Sequence, residues 1–256
     1  MKEAGFYITI LLANIIQGIT GFAGTILAMP FSLMLVGYDT AKPVLNVLGL
    51  LSGIYVFAGN RRSVNWKELK KIVLIMAVGI FVGMGIKSLL AGREAVLYLA
   101  LGVFVILLAL DGLYQRLLLP RLHDRKKDEN QEREGKGTGT KLLELSLLGG
   151  AGIAHGIFVS GGPLLIGYLT GRIRDKTVFR ATISTVWIIL NTIILAGDIR
   201  SGLWTPETLR NFVIAVPFLL GGMFIGGKLY KIMSQNVFMI LTYVLLLISG
   251  VSLLCK

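Results

Sequence analysis

Residues 14–25 read NIIQGITGFAGT, and residues 152–163 read GIAHGIFVSGGP. Slid by 138 positions without a gap, Gly18-Ile19 falls on Gly156-Ile157 and Gly24 on Gly162. The same offset carries Ala58-Gly59 onto Ala196-Gly197, Arg62-Ser63 onto Arg200-Ser201, Trp66 onto Trp204 and Gly83 onto Gly221. Apolar coincidences are cheap in a hydrophobic chain. A Trp, an Arg-Ser pair and four glycines in one register are not. The chain holds one unit twice, and each copy opens with a glycine-broken apolar stretch. Many membrane transporters are built this way, with the substrate site where the repeats meet.

Composition agrees. The 256 residues are 54% hydrophobic and 16% charged, with mean hydropathy +0.75, whereas soluble domains are about 25% charged. The long apolar runs include Ile72–Ile86, Ala95–Leu110, Phe212–Gly227 and Val237–Leu254. A hydrocarbon core about 30 Å thick takes roughly 20 such residues. The sequence predicts an all-α polytopic membrane protein with eight segments, near 5–36, 42–58, 68–88, 95–115, 142–170, 178–197, 208–229 and 236–254. They divide into a first repeat (1–119), a charged linker (120–141) and a second repeat (142–256). The N-terminus reads as a retained first segment, because no A-x-A site follows it.

Segments one and five are each about 30 residues, or roughly 45 Å of helix, too long for one straight crossing. Either each is a broken helix, giving four-segment repeats of like orientation, or each is a hairpin, giving five passes per half and inverted repeats. The sequence leaves both forms open.

The net charge of +12 sits in short connections, which fits cytoplasmic loops and argues against nucleic acid as a partner. The expected partners are the lipid bilayer and a small anion, with a homo-oligomer possible. One cysteine, Cys255, excludes an intrachain disulfide or thiol cluster, and no cofactor is expected. With both termini and the linker cytoplasmic in the cell membrane, 17 of the Lys and Arg residues lie inside and 9 outside. The outer cluster Arg172–Arg180 is the exception to that orientation.

Candidate site residues come from the two breaks. The first supplies Gln17, Gly18, Thr20, Gly21, Gly24 and Thr25, and the second His155, Gly156, Ser160, Gly161 and Gly162. Irregular backbone at membrane depth is tolerated where it is buried in protein or lines a wet cavity. Interrupted helices also present N–H groups and a dipole suited to an anion. The competing reading is close packing through small residues. His155 matches Gln17 under the offset, and it is either a hydrogen-bonded structural group or a proton carrier. Lys42 matches Arg180, as a cationic cavity mouth or as snorkelling side chains. Asn46, Ser184 and Asn191 are polar neighbours in those segments. Trp66 and Trp204 read as interfacial anchors. No H-E-x-x-H, G-x-S-x-G or Walker A motif occurs, so no enzyme is expected.

Several short motifs resemble the TauE/SafE family of sulfite exporters, also called the toluene-sulfonate uptake permease family. They are Gly18-x-x-Gly21-Phe22-x-Gly24 with Pro30, Arg61-x-x-Val64-Asn65-Trp66, Gly156-x-x-x-Ser160-Gly161-Gly162-Pro163 and Phe179-Arg180-Ala181-Thr182. The chain departs from the commoner pattern at Ala23-Gly24-Thr25, where three glycines are frequent. The resemblance implies a multi-pass transporter of small sulfur-containing or organic anions such as sulfite, sulfonates or sulfoacetate. The expected function is alternating-access transport of such an anion, with proton coupling as an option. A passive anion channel and a non-transporting accessory protein are the rival classes.

Overall fold

The computed structural model describes residues 2–89, 138–159 and 161–254, with isolated positions between 99 and 114. Most of the fourth predicted segment, linker residues 120–137 and Ser160 lie outside the described residues. All regular structure among the described residues is helical: α1 (Lys2–Thr20), α2 (Ala23–Val36), α3 (Tyr38–Asn60), a 3-10 turn (Arg61–Ser63), α4 (Trp66–Leu89), α5 (Thr138–Phe158), α6 (Gly162–Arg172), α7 (Lys176–Arg200), α8 (Pro206–Ile232) and α9 (Gln235–Leu254). Local chemistry sets several of these bounds. Asp175 caps α7 by accepting from the N–H groups of Thr177 and Val178, and Thr205 caps α8 just ahead of Pro206.

Among the described residues, five helical stretches are long and apolar enough to cross a membrane: Glu3–Thr20, Tyr38–Ser63, Trp66–Ile86, Lys176–Arg200 and Pro206–Ile232. The two long predicted segments take the hairpin form. In the first, Gly24 lies against Ala13 and Gln17 while Gly5 lies against Leu35, so α2 runs back along α1. In the second, Gly161 meets Ala151 and His155 while Gly150 faces Leu164, so α6 runs back along α5. The returning arms are short, 14 residues in α2 and 11 in α6. At 1.5 Å per residue they reach only about 21 and 16 Å.

The helices pair across the repeats. α1 lies on α8, α5 on α4 and α3 on α7. Glu3 pairs with Arg210, Tyr7 bonds Asn211 and Gly18 touches Gly226, so α1 and α8 run parallel. Their counterparts α5 and α4 do the same, with Glu144 on Lys71 and Gly156 on Ile80. Equivalent helices α3 and α7 run antiparallel: Lys42 meets Asp198, Gly49 faces Asn191, and Gly53 faces Ser184 and Ile188. Equivalent helices packed antiparallel are related by a two-fold axis perpendicular to their length. The repeats are therefore inverted.

This geometry corrects one expectation. Helices α1 and α5 start at opposite ends of the bundle, so Lys2 and Lys141 do not share a side. The end that holds the start of α5 also holds Arg61–Lys71, Arg172, Arg174, Lys176 and the close of α8. The cluster that dissented from the sequence-based orientation lies with the other basic residues.

Candidate functional site

Each hairpin turns through one left-handed residue, and the two are equivalent under the offset. Gly21 has φ 84° and Val159 has φ 56°. Their N–H groups bond the carbonyls of Gln17 and His155 at 2.7 and 2.8 Å. Glycine adopts this backbone freely, whereas a β-branched residue there is strained. The first turn is further stitched by its own polar side chains. Gln17 accepts from the Gly24 N–H at 2.7 Å and donates to Ser52 at 3.0 Å. The Thr20 hydroxyl bonds the Ile16 carbonyl and accepts from the N–H groups of Phe22 and Ala23.

The two hairpins enter from opposite ends, and their tips meet beside the α3–α7 crossing. Between them lies a cavity lined by Gln17, Phe22, Thr25, Ile26, Gly49, His155, Val159, Gly162, Trp187 and Asn191. Its free space of about 20 Å³ is room for about one water. An anion with several oxygens needs the tips to part. His155 is 3% exposed and its Nε2 lies 3.0 Å from Asn191 Oδ1. The imidazole stacks obliquely on Trp187, centroids 5.0 Å apart. Among the described residues, His155 Nδ1 and Trp187 Nε1 are both buried without a hydrogen-bond partner. Unsatisfied buried polar atoms are costly, and here two of them belong to the wall of one cavity.

The lining brings together Gln17, Thr25, His155, Gly162 and Asn191 from the sequence-based candidates. Of the other candidates, Ser160 lies outside the described residues and the rest take different places. Gly18 packs on Gly226, and Gly156 on Ile80, at backbone-to-backbone distance, so packing accounts for both. Gly24 is filled from behind by Gln17, and Gly161 sits on the Ala151 carbonyl. Asn46 donates to the Asn191 carbonyl at 3.1 Å and accepts from the Asn191 side chain at its own carbonyl, 3.3 Å away. Ser184 donates to the Gly21 carbonyl at 3.3 Å.

Lys42 and Arg180 do not form one mouth. Inverted symmetry sends them to opposite ends of the α3–α7 seam. Lys42 forms a buried ion pair with Asp198. Arg180, 5% exposed, turns Nε and Nη2 onto the Gly18 carbonyl at 3.0 and 2.5 Å. Its guanidinium lies 4.4 Å from the centre of the Tyr230 ring. The sequence reading missed Trp187, Asp198 and Gly49. A signal for the first two was present: Arg180, Ser184, Trp187, Asn191 and Asp198 follow helical spacing and form one stripe along α7. Among the described residues, no three His, Cys, Asp or Glu side chains are grouped to hold a metal ion.

Comparison with known proteins gives a concordant picture. The family described as "Sulfite exporter TauE/SafE" matches residues 6–253. A curated relative, the "Probable inner membrane transporter protein TsaS" of Comamonas testosteroni, is 24% identical over 198 residues, which span 76% of this chain and 74% of that protein. No solved structure matches.

Proposed function

The chain belongs to the sulfite exporter TauE/SafE family, a multi-pass membrane transporter family, and on that premise we propose that it carries a small sulfur oxyanion or organosulfonate by alternating access. The central site is the cavity between the hairpin tips. One observation carries this reading: two hairpins of opposite orientation close on a single cavity whose wall holds two buried, unpartnered nitrogens. Trp187 Nε1 offers a neutral N–H donor. With Nε2–H donating to Asn191 Oδ1, His155 Nδ1 is an acceptor in the neutral ring and becomes a second donor only when the ring is doubly protonated. Gln17, Thr25 and Asn191 add neutral polar groups, while Phe22, Ile26 and Val159 keep the site dry, where each hydrogen bond is stronger. Movement of one hairpin relative to α3 and α7 opens the cavity to one side, and movement of the other opens it to the opposite side.

We further propose that the basic end faces the cytoplasm. The described helices place Arg61, Arg62, Lys67, Lys70, Lys71, Lys141, Arg172, Arg174, Lys176, Arg180, Lys228 and Lys231 toward that end, against Lys2, Lys42, Lys87, Arg200 and Arg210 at the other. That is 12 against 5 among the described residues, and it reverses the expected orientation by placing Lys2 outside.

Flux of sulfite and of a simple alkanesulfonate into proteoliposomes tests the transport reading. Saturable, concentrative uptake driven by an ion gradient supports a carrier. Flux that only dissipates its own gradient favours the channel class, and no flux above empty liposomes defeats the reading. Labelling Cys255, one residue beyond α9, with a membrane-impermeant maleimide tests the orientation. Intact cells or spheroplasts are expected to be labelled, and labelling confined to inverted vesicles would refute it.

A further inference from the structure

Arg180 is a buried cation held by neutral groups, the Gly18 carbonyl and the Tyr230 ring. Lys42, its equivalent in the other repeat, is neutralised by Asp198. A buried charge is costly unless paired, and ionisable groups at membrane depth mark ligand pathways more often than packing. The carbonyl it holds is also particular. Gly18 lies in the last turn of α1, where carbonyls lose their intrahelical partners, and it forms part of the tip of the first hairpin. The same guanidinium thus tethers the tip of the first hairpin to α7 and, among the described residues, has no counter-charge.

We propose that Arg180 is the anion-receiving gate of the basic end. An arriving anion takes the guanidinium from the Gly18 carbonyl, because a charged acceptor binds Arg more strongly than a neutral one. Arrival of substrate and release of the hairpin tip are then one event. The path continues along the α7 stripe, past Ser184 to Trp187 and Asn191 at the cavity, and is sealed beyond it by Lys42 and Asp198. The two ends are unlike. At the basic end an anion displaces a carbonyl, and at the other it must displace a carboxylate, so apparent affinity is higher from the Arg180 end. Lys176, whose ammonium lies 4.8 Å from the same Tyr230 ring, adds positive field at that end.

This inference rests on the anion-transport reading, and the experiment separates the two. Sulfite flux is measured in vesicles of both orientations, alongside the sulfite-induced rise in thermal midpoint of the purified protein, for wild type, Arg180→Gln and Arg180→Lys. Arg180→Gln is expected to raise the half-saturating concentration at the basic face by about tenfold or more, the scale of one lost charge-assisted hydrogen bond. At the other face the value stays within about twofold, because Arg180 lies at the opposite end of the α3–α7 seam. Arg180→Lys, which keeps the charge without the fork, gives an intermediate rise and serves as the readout if the Gln variant does not fold. Equal half-saturation at the basic face for wild type and both variants overturns the gate while leaving transport intact. If wild type shows no flux but is stabilised by sulfite in an Arg180-dependent way, the anion site stands and the transport reading falls. Neither flux nor stabilisation overturns both.

Discussion

The Lys42–Asp198 pair offers a quantitative test of how the seam between the repeats is sealed. The side chains are 10% and 3% exposed, so removing one strands the other charge out of water. Such a loss costs about 3–5 kcal/mol. At roughly 2–4 °C per kcal/mol for a chain of this size, Lys42→Met or Asp198→Asn should each lower the thermal midpoint by about 6–20 °C. The double substitution removes both charges and leaves near-isosteric side chains. It should lose less than either single change, on the order of 1–2 kcal/mol, because replacing a whole buried pair is far cheaper than breaking it. Intrinsic Trp fluorescence during heating in detergent, at one fixed scan rate, follows all four proteins. The reasoning is refuted if the double variant falls by the sum of the two singles, or if either single change moves the midpoint by less than about 2 °C, the equivalent of under 1 kcal/mol. In flux assays the double variant should retain affinity at the basic face, since neither residue lines the cavity.

Two further predictions follow from packing and from the cavity wall. A Cβ on Gly226 would sit 2.2 Å from the Ile15 carbonyl, whereas one on Gly227 meets nothing within 4 Å; Gly226→Ala should destabilise by about 1–3 kcal/mol or more and Gly227→Ala should be neutral or stabilising by up to about 1 kcal/mol, as thermal midpoints will report. His155→Leu strands Asn191 Oδ1 and should cost about 1–3 kcal/mol together with anion affinity, while His155→Gln, which can still donate to Asn191, should recover most of the stability; equal loss in the two would mean that the Asn191 bond carries nothing.

The helices were legible because their signals are local. Long apolar runs bounded by charge give α3, α4, α7 and α8, and the offset marks the two breaks as equivalent before any contact is known. What the breaks do was not legible. A glycine-weakened stretch of 30 residues serves as a kinked helix or a hairpin, and the choice is made by tertiary contacts such as Gly5 on Leu35. Orientation hangs on the same choice: counting charges by side requires the parity of crossings, and a hairpin in each half changes that parity. The pairing of Lys42 with Arg180 held as sequence equivalence but failed as proximity, because inverted symmetry separates equivalent residues along the membrane normal. Gly18 and Gly156 were candidates for substrate contact. They proved to be contact points between helices, a distinction that residue type alone does not make. Trp187 was passed over because a tryptophan inside a hydrophobic segment looks like any other apolar residue until its neighbours are placed.

The inverted halves have one more consequence, for how the chain knows which way up to sit. Two copies facing opposite ways cancel any orientation signal they share, as Arg62 and Arg200 do, one at each end. Only differences between the copies can break the tie. At the crowded end Lys67, Lys70 and Lys71 correspond to Thr205, Thr208 and Leu209, and Arg172 and Arg174 correspond to Met34 and Val36. On the orientation proposed above, a handful of exchanges between charged and uncharged side chains, scattered through an otherwise self-similar chain, would serve as its compass. Moving those few residues to their counterparts is then expected to turn the protein over, with the side from which Cys255 is labelled as the readout.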